Sequence, residues 1–112
     1  VLMGAPNYVR GGSQSGNVAV RELLDHGLVD VLASDYVPGS LLSASFAMAE
    51  DAELGLSLPE AIAMVSRRPA RIVGLDDRGE IAEGLRADMV RVRRAEGHGH
   101  VGAVWREGRR VF

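Results

Sequence analysis

The stretch that decides the fold is Val31-Leu32-Ala33-Ser34-Asp35-Tyr36-Val37-Pro38. A short apolar run leads to a single acid, and the chain then turns at Pro38-Gly39 toward a segment with helical spacing. In parallel α/β folds, functional sites form where strands end and loops begin. The stretch therefore predicts a strand from Leu28 to Ala33 that presents Asp35 at its carboxyl end.

A second strand end is predicted near the start of the chain. Val1 to Met3 is apolar and runs through Gly4-Ala5-Pro6-Asn7 into a long glycine-rich loop that reaches Gly16. Asn17 is a favourable N-cap for a helix from Val18 to about His26. The resulting order of strand, helix, strand, helix predicts a parallel sheet with right-handed crossovers.

Capping residues predict three further helices. Ser40 is expected to cap the first of them, Ser57-Leu58-Pro59-Glu60 has the spacing of a capping box, and Pro69 suits the start of the last. The three helices are predicted over Leu41 to about Glu53, Leu58 to Ser66, and Ala70 to Val73, the last ended by Gly74.

The composition changes near Leu75, which predicts one unit over residues 1–74 and a small β unit over residues 75–112. Two glycines, Gly97 and Gly99, predict a loop around His98 and His100, so we interpret these histidines as a solvated hairpin entry and not as a metal site. The strands of this unit are predicted over Ala87 to Arg93, His100 to Trp105 and Arg109 to Phe112, with a tight hairpin at Glu107-Gly108.

Composition narrows the function classes. The chain has 112 residues, a net charge of −2 and no cysteine, so we expect no disulfide, no nucleic-acid partner and no attraction to a membrane. No apolar run approaches the roughly 18 residues of a transmembrane helix. These features fit a cytoplasmic protein. Because Val1 opens directly on an apolar tripeptide, we also expect a piece cut from a longer chain.

Several motifs resemble those of a known family. The motifs Gly4-Ala5-Pro6-Asn7, Arg10-Gly11-Gly12-Ser13, Ser15-Gly16-Asn17 and Ser34-Asp35-Tyr36 together resemble the C-terminal part of the PhnM-like phosphonate-metabolism proteins. That family lies within the amidohydrolase superfamily, to whose common signature residues 78–88 are similar. The resemblance implies that residues 1–74 are the last βα units of a (β/α)8 barrel. Residues 75–112 would then be the closing strands of a small flanking β-sandwich.

The resemblance also implies a function. It points to a metal-dependent phosphohydrolase of phosphonate catabolism that cleaves α-D-ribose 1-methylphosphonate 5-triphosphate to the 5-phosphate and diphosphate. The family's metal-binding histidines would lie before Val1, and zinc is the expected divalent ion in the complete enzyme. Asp35 matches the acid at the end of the last barrel strand, which is both a metal ligand and a catalytic group. From spacing alone, an ordinary turn residue is the simpler interpretation of Asp35.

A phosphorylated small molecule is the implied substrate. The glycine-rich loop offers backbone N–H groups, a basic side chain and hydroxyls that suit an anion. From the residues alone, a flexible surface loop is the simpler interpretation. Where this sequence has Gln14, the family commonly has histidine; glutamine can form hydrogen bonds but cannot carry a proton or a charge near neutral pH. The substrate-binding residues implied by the resemblance are Arg10, Gly11, Gly12, Ser13, Gln14, Ser15, Asn17 and Tyr36.

The chain alone is expected to be inactive. Two βα units leave strand edges and apolar helix faces open, which predicts a homo-oligomer or a non-native packing. The divalent metal is expected in the complete enzyme, and a fragment without bound metal is the alternative. The rival hypotheses are a non-enzymatic module that binds a phosphorylated ligand without metal, and a purely structural fragment that self-associates.

Overall fold

The computed structural model describes residues 1–9 and 20–112 of the chain. Helices occupy the first two thirds, and an antiparallel sheet occupies the last third. In chain order, the described elements are β1 (Leu2–Gly4), α1 (Ala5–Val9), α2 (Val20–Asp25), β2 (Val31–Ala33), α3 (Ser40–Glu50), α4 (Leu58–Ala63), α5 (Arg67–Ile72), β3 (Met89–Ala95), β4 (His98–Arg106) and β5 (Arg109–Arg110).

The strands β1 and β2 form a parallel pair, as the order of elements predicts. Leu2 lies opposite Val31 and Gly4 lies opposite Ala33, so both strands end at the same edge. The second strand is shorter than predicted, because Leu28 is exposed and regular pairing begins only at Val31.

A helix follows β1 where a loop was expected. Residues 5–9 form α1, so Asn7, Tyr8 and Val9, which were predicted to begin the loop, are helical. Two tertiary contacts explain the difference: Ala5 is fully buried, and the Tyr8 hydroxyl donates to the Asp51 carboxylate at 3.1 Å. The predicted N-cap Asn17 and the rest of the glycine-rich loop lie outside the described residues.

The capping box at the start of α4 is confirmed. The Ser57 backbone N–H donates to the Glu60 carboxylate at 2.7 Å, and the Ser57 hydroxyl accepts from the Glu60 backbone N–H. The Ser40 prediction is wrong: Gly39 is the N-cap of α3, and Ser40 makes no cap hydrogen bond there. The last helix, α5, begins at Arg67, earlier than the predicted start at Ala70. Pro69 therefore lies in the first helical turn, where a proline is tolerated.

The last three strands form an antiparallel sheet in the order β3-β4-β5. The hairpin at Glu107-Gly108 is confirmed, with φ of 51° and 77° at its two turn residues. A second turn of the same kind, Glu96-Gly97, was not predicted. The loop expected around the two histidines is wrong, because β4 begins at His98 and Gly99 lies within the strand.

The apolar core lies almost entirely in the helical part. A buried cluster joins β1 and β2 to the helices, and from the sheet only Ala103 is a buried apolar residue among those described. The sheet docks on α3 through Phe46, which packs on Gly99: a Cβ at Gly99 would lie 2.6 Å from the Phe46 ring. The glycine is therefore needed for this contact and not for a loop. The core cluster consists of Ala5, Val29, Leu32, Ala44, Met48, Ala61 and Met64.

Candidate active site

A tight turn follows β2 and carries the candidate acid. The Val37 backbone N–H donates to the Ser34 carbonyl at 3.0 Å, which makes Asp35 and Tyr36 the two central residues of the turn. Asp35 has a φ of 51°, in the left-handed region. Aspartate reaches this region more readily than most residues, but it remains an uncommon conformation. Strain of this kind in a turn at a strand end is typical of functional sites.

The Asp35 side chain lies beside the end of the neighbouring strand. A Cβ built on Gly4 would be 3.0 Å from the Asp35 Oδ2 atom and 3.3 Å from the Asp35 Cβ. Gly4 is the last residue of β1, so the structure places the candidate acid against the first of the family-like motifs. Asp35 is exposed, and no hydrogen bond or ion pair within residues 1–9 and 20–112 engages its carboxylate.

Ser40 completes the turn from the side of α3. Its hydroxyl donates to the Val37 carbonyl at 2.7 Å and lies 3.3 Å from the Ser34 carbonyl. Its backbone N–H also donates to the Val37 carbonyl, at 3.0 Å. Ser40 is buried, with 6% of its surface exposed. Sequence reasoning missed this role, because a serine after Pro-Gly has the same pattern as an ordinary N-cap.

The other predicted site residues divide into two groups. Tyr36 follows Asp35 in the turn, and 52% of its surface is exposed. Asp35 and Tyr36 are close because they are consecutive in the sequence and share the turn. The remaining predicted substrate-binding residues lie outside the described part of the chain: Arg10, Gly11, Gly12, Ser13, Gln14, Ser15 and Asn17.

The described residues supply one plausible metal ligand and not a complete set. No group of three or more histidine, cysteine, aspartate or glutamate side chains that could hold an ion occurs in the described ranges. A protein zinc site usually has three or four protein ligands. Asp35 fits such a site only as one oxygen donor. His98 and His100 belong to the other sheet, where they pair with Ala95 and Arg93.

Charges in the superfamily-like segment, residues 78–88, make structural contacts instead. Glu80 bridges Arg67 and Arg71 at 3.1 and 3.2 Å. Gly79 has a φ of 96°, and a Cβ there would lie 2.7 Å from the Arg67 Cα. This close approach and the ion pairs fix the segment against α5.

Asp88 secures the final hairpin at the other end of the same segment. The Glu107 backbone N–H donates to its carboxylate at 2.8 Å and holds the pKa of Asp88 below its usual range, with a further contribution from Arg86. The Arg78 guanidinium similarly lowers the pKa of Asp77 by hydrogen bonding to it. These perturbed acids therefore belong to the turns of the tail and not to the candidate site.

The amidohydrolase family matches residues 5–112. The chain belongs to the amidohydrolase family. This membership implies a (β/α)8 barrel, in agreement with the parallel pair and its helices. The active sites of such barrels lie at the carboxyl ends of the strands, and the turn after β2 occupies a position of this kind.

Two relatives show where in the amidohydrolase family the chain lies. It is 54% identical over all 112 residues to the alpha-D-ribose 1-methylphosphonate 5-triphosphate diphosphatase of Escherichia coli (strain K12). It is 39% identical to a dihydroorotase of Methanopyrus kandleri in an alignment that covers 62% of the chain. The resemblance to PhnM-like proteins is thereby confirmed.

The chain spans only part of these amidohydrolases. It covers 30% of the length of the Escherichia coli diphosphatase and 20% of the dihydroorotase. No solved structure matches it. None of the helices in the described ranges is long and apolar enough to cross a membrane.

Proposed function

We propose that the chain forms the last βα units of the barrel and part of the flanking β-sandwich of a metal-dependent phosphohydrolase, divided near residue 74. Its substrate would be α-D-ribose 1-methylphosphonate 5-triphosphate, cleaved to the 5-phosphate and diphosphate. The observation that carries this proposal is the 54% identity over the entire chain to the Escherichia coli diphosphatase. The change of architecture after α5, from helices to an antiparallel sheet, supports the division.

Asp35 is the proposed catalytic residue. Its exposed carboxylate stands at the carboxyl end of β2, where it can bind a divalent ion and accept the proton of an attacking water. When bound, such an ion, with zinc expected, would stabilise the charge that develops on the transferred phosphate and lower the pKa of water. The chain contributes one oxygen ligand to that site, and the remaining ligands come from residues that the structure does not describe.

The glycine-rich loop is the proposed phosphate site. Arg10 would neutralise substrate charge, and Gly11 and Gly12 would let backbone N–H groups approach the phosphate oxygens. Ser13, Gln14, Ser15, Asn17 and Tyr36 would add hydrogen bonds. Glutamine at position 14 would bind an oxygen but would not transfer a proton.

A chimera tests the proposed function. The chain would replace the matching 112 residues of the Escherichia coli diphosphatase, and diphosphate release would be measured. We expect the chimera to be active and Asp35→Asn to lower kcat about 10²- to 10⁴-fold, the usual contribution of a general base. Asp25→Asn, at the exposed end of α2, removes the same charge and is the control. An inactive chimera, or full activity of the Asp35→Asn variant, would contradict the proposal.

The isolated chain is proposed to lack activity and to self-associate. Apolar side chains remain on its surface, including Leu2, Ile72 and Ile81 at 64%, 69% and 84% exposure. An apolar groove of about 900 Å³ also lies between helices α3 to α5 and the sheet. Light scattering should therefore show oligomers, and an active monomer would refute both statements. A cytoplasmic location remains a prediction.

The alternative of a non-enzymatic binding module is not favoured, because the relatives named above bear the names of enzymes.

A further inference from the structure

We propose that Ser40 and Gly4 are positioning residues for Asp35: Ser40 holds the turn that carries the carboxylate, and Gly4 leaves open the space in which it lies. This inference rests on the proposed function of Asp35. It assigns a role to two residues that touch neither the substrate nor an ion. The turn is thus held by the start of α3, and the space for its carboxylate is left open by the end of β1.

The Ser40 hydroxyl contacts both ends of the turn. It donates to the Val37 carbonyl at 2.7 Å, and the Ser34 carbonyl lies 3.3 Å from the same oxygen. These two carbonyls flank Asp35 and Tyr36 along the chain. Since Ser40 is buried, removal of its hydroxyl would leave the Val37 carbonyl with one partner fewer in a site that water reaches poorly.

The conformation of Asp35 explains why the turn needs the hydrogen bonds of the Ser40 hydroxyl. At a φ of 51°, the residue occupies a region that L-amino acids rarely adopt. A residue persists in that region only where its surroundings over-determine it. The Val37 to Ser34 hydrogen bond closes the turn, and Ser40 ties that closed turn to the first residue of an 11-residue helix. Without the hydrogen bonds of the Ser40 hydroxyl, the turn can relax, and the Asp35 carboxylate would then move away from the end of the strand.

Gly4 acts through the side chain that it lacks. A Cβ at this position would meet the Asp35 Oδ2 atom at 3.0 Å and the Asp35 Cβ at 3.3 Å, both tighter than ordinary contacts. Gly4 pairs regularly with Ala33 as part of a strand, and its φ lies outside the left-handed range. Backbone conformation therefore does not require glycine here. The close approach of the Asp35 side chain favours glycine instead, because an alanine would push that side chain aside by a few tenths of an ångström.

Two matched pairs of variants in the chimera test the proposal. Ser40→Ala is compared with Ser45→Ala, since Ser45 is also buried in α3 but donates to the Leu41 carbonyl of its own helix at 2.9 Å. Gly4→Ala is compared with Gly39→Ala, since a Cβ on Gly39 meets nothing within 4 Å. The readouts are kcat, KM and amide hydrogen exchange of Val37.

We expect Gly4→Ala, which would shift the Asp35 side chain by a few tenths of an ångström, and Ser40→Ala each to lower kcat about 10-fold, less than the roughly 100-fold cost of a 1 Å misplacement. KM should change less than kcat, because most of the proposed phosphate contacts come from residues 10–17 and only Tyr36 lies in the turn. Exchange of the Val37 amide should accelerate in Ser40→Ala only. The two control variants should match the unsubstituted chimera in all three readouts.

The outcomes separate this inference from the proposed function. Equal kcat and equal Val37 exchange in Ser40→Ala and Ser45→Ala would overturn the role of Ser40, and equal kcat in the two glycine variants would overturn that of Gly4. If Ser40→Ala fails to fold, as judged by circular dichroism, the glycine pair still decides the role of Gly4, and Ser40→Cys, which keeps a weaker donor, replaces Ser40→Ala in the test of Ser40. Full activity of Asp35→Asn would contradict the proposed function, and Val37 exchange would then decide whether Ser40 holds the turn.

Discussion

The parallel pair β1–β2 and the tail sheet β3–β5 differ in where their backbone partners and their core come from. The parallel pair joins Leu2 to Val31 across a segment that contains both α1 and α2, whereas every ladder partner in the tail lies between Met89 and Arg110. Burial shows the opposite distribution. The core cluster surrounds the parallel pair, and the tail contributes Ala103 as its buried apolar residue among those described.

Each region therefore lacks what the other has. The tail makes its hydrogen bonds locally but cannot bury a core of its own. The parallel pair has a core but, within the described residues, has only two strands, and parallel sheets are normally larger and covered on both faces. The tail docks on the helical part through the contact between Phe46 and Gly99, which joins it to the region that holds the core cluster.

The largest effect on stability is expected from a substitution in the core cluster, which surrounds the parallel pair. Met48 is fully buried in α3, within the core cluster. We expect Met48→Ala to lower the free energy of unfolding by about 2 to 5 kcal/mol, because it removes buried volume and leaves a cavity. Urea unfolding followed by circular dichroism measures the change.

The matched control for this prediction lies in the tail. Val90 in β3 is 56% exposed, so Val90→Ala should change the free energy of unfolding by no more than about 0.5 kcal/mol. Similar losses in the two variants would show that the tail contributes as much to the core as the helical part does.

A smaller effect is expected at the contact between the two regions. Gly99→Ala would place a Cβ 2.6 Å from the Phe46 ring, and we expect a loss of about 1 to 3 kcal/mol from overpacking. Helix unfolding is followed by circular dichroism and tail unfolding by fluorescence of Trp105, the single tryptophan. The two transitions should coincide in the unsubstituted chain and separate in the variant.

Gly102 gives the control from the same strand. A Cβ at Gly102 would come no closer than 3.7 Å to any neighbour, the Arg91 side chain. Gly102→Ala should therefore leave both transitions in place. If it separates them as well, alanine in β4 acts on the strand itself and not on the contact with α3.

Local features of this chain could be predicted from the sequence. The capping box at Ser57 and the hairpin at Glu107-Gly108 depend on residues a few positions apart, and both are confirmed. The parallel strands were predicted because apolar runs and helix signals alternate. The placement of Asp35 at a strand end follows from the same pattern.

The missed features depend on contacts between distant residues. Gly99 was interpreted as a loop glycine, but it serves the Phe46 ring, 53 positions earlier in the sequence. Ser40 was interpreted as a cap because nothing in its neighbours reveals that its hydroxyl turns back toward Val37. The helix α1 forms where Ala5 is buried and Tyr8 reaches Asp51. Such packing overrides local preference.

The capping box predicts an intermediate effect that depends on pH. Ser57→Ala should lower the free energy of unfolding by about 1 kcal/mol at neutral pH, the usual contribution of an N-cap. The Ser57 hydroxyl and backbone N–H lower the pKa of Glu60 by donating to its carboxylate. A lowered folded-state pKa adds stability above the ordinary pKa of glutamic acid, about 4.3, and that part is lost as the pH falls through the folded-state value.

The difference between the unsubstituted chain and Ser57→Ala should therefore shrink below about pH 4. Thermal melts at a series of pH values, followed by circular dichroism, measure this difference. Glu60→Gln serves as the control, because it removes the titration and should make the cost of Ser57→Ala independent of pH. A difference that grows in acid would contradict the ionised capping box.

The smallest effect on stability is expected at the two hairpin turns of the tail, which connect strands that are neighbours in the sequence. Glu96 and Glu107 have φ of 52° and 51°, and each precedes a glycine in a two-residue hairpin. Asparagine accepts this conformation better than glutamate, so Glu96→Asn should raise the stability of the tail by about 0.5 kcal/mol. The Trp105 fluorescence transition in urea measures the change.

Glu107→Asn sharpens the same test, because Glu107 has a second contact. Its carboxylate lies 3.3 Å from the Arg86 guanidinium, in a pair whose glutamate is 64% exposed. Loss of such a pair costs at most about 1 kcal/mol and should cancel the gain from the turn. If only Glu96→Asn stabilises the tail, the strained turn residues limit the free energy of unfolding of the tail. If neither variant stabilises the tail, its stability depends on docking against α3, and the contrast with the parallel pair would be smaller than the hydrogen-bond pattern indicates.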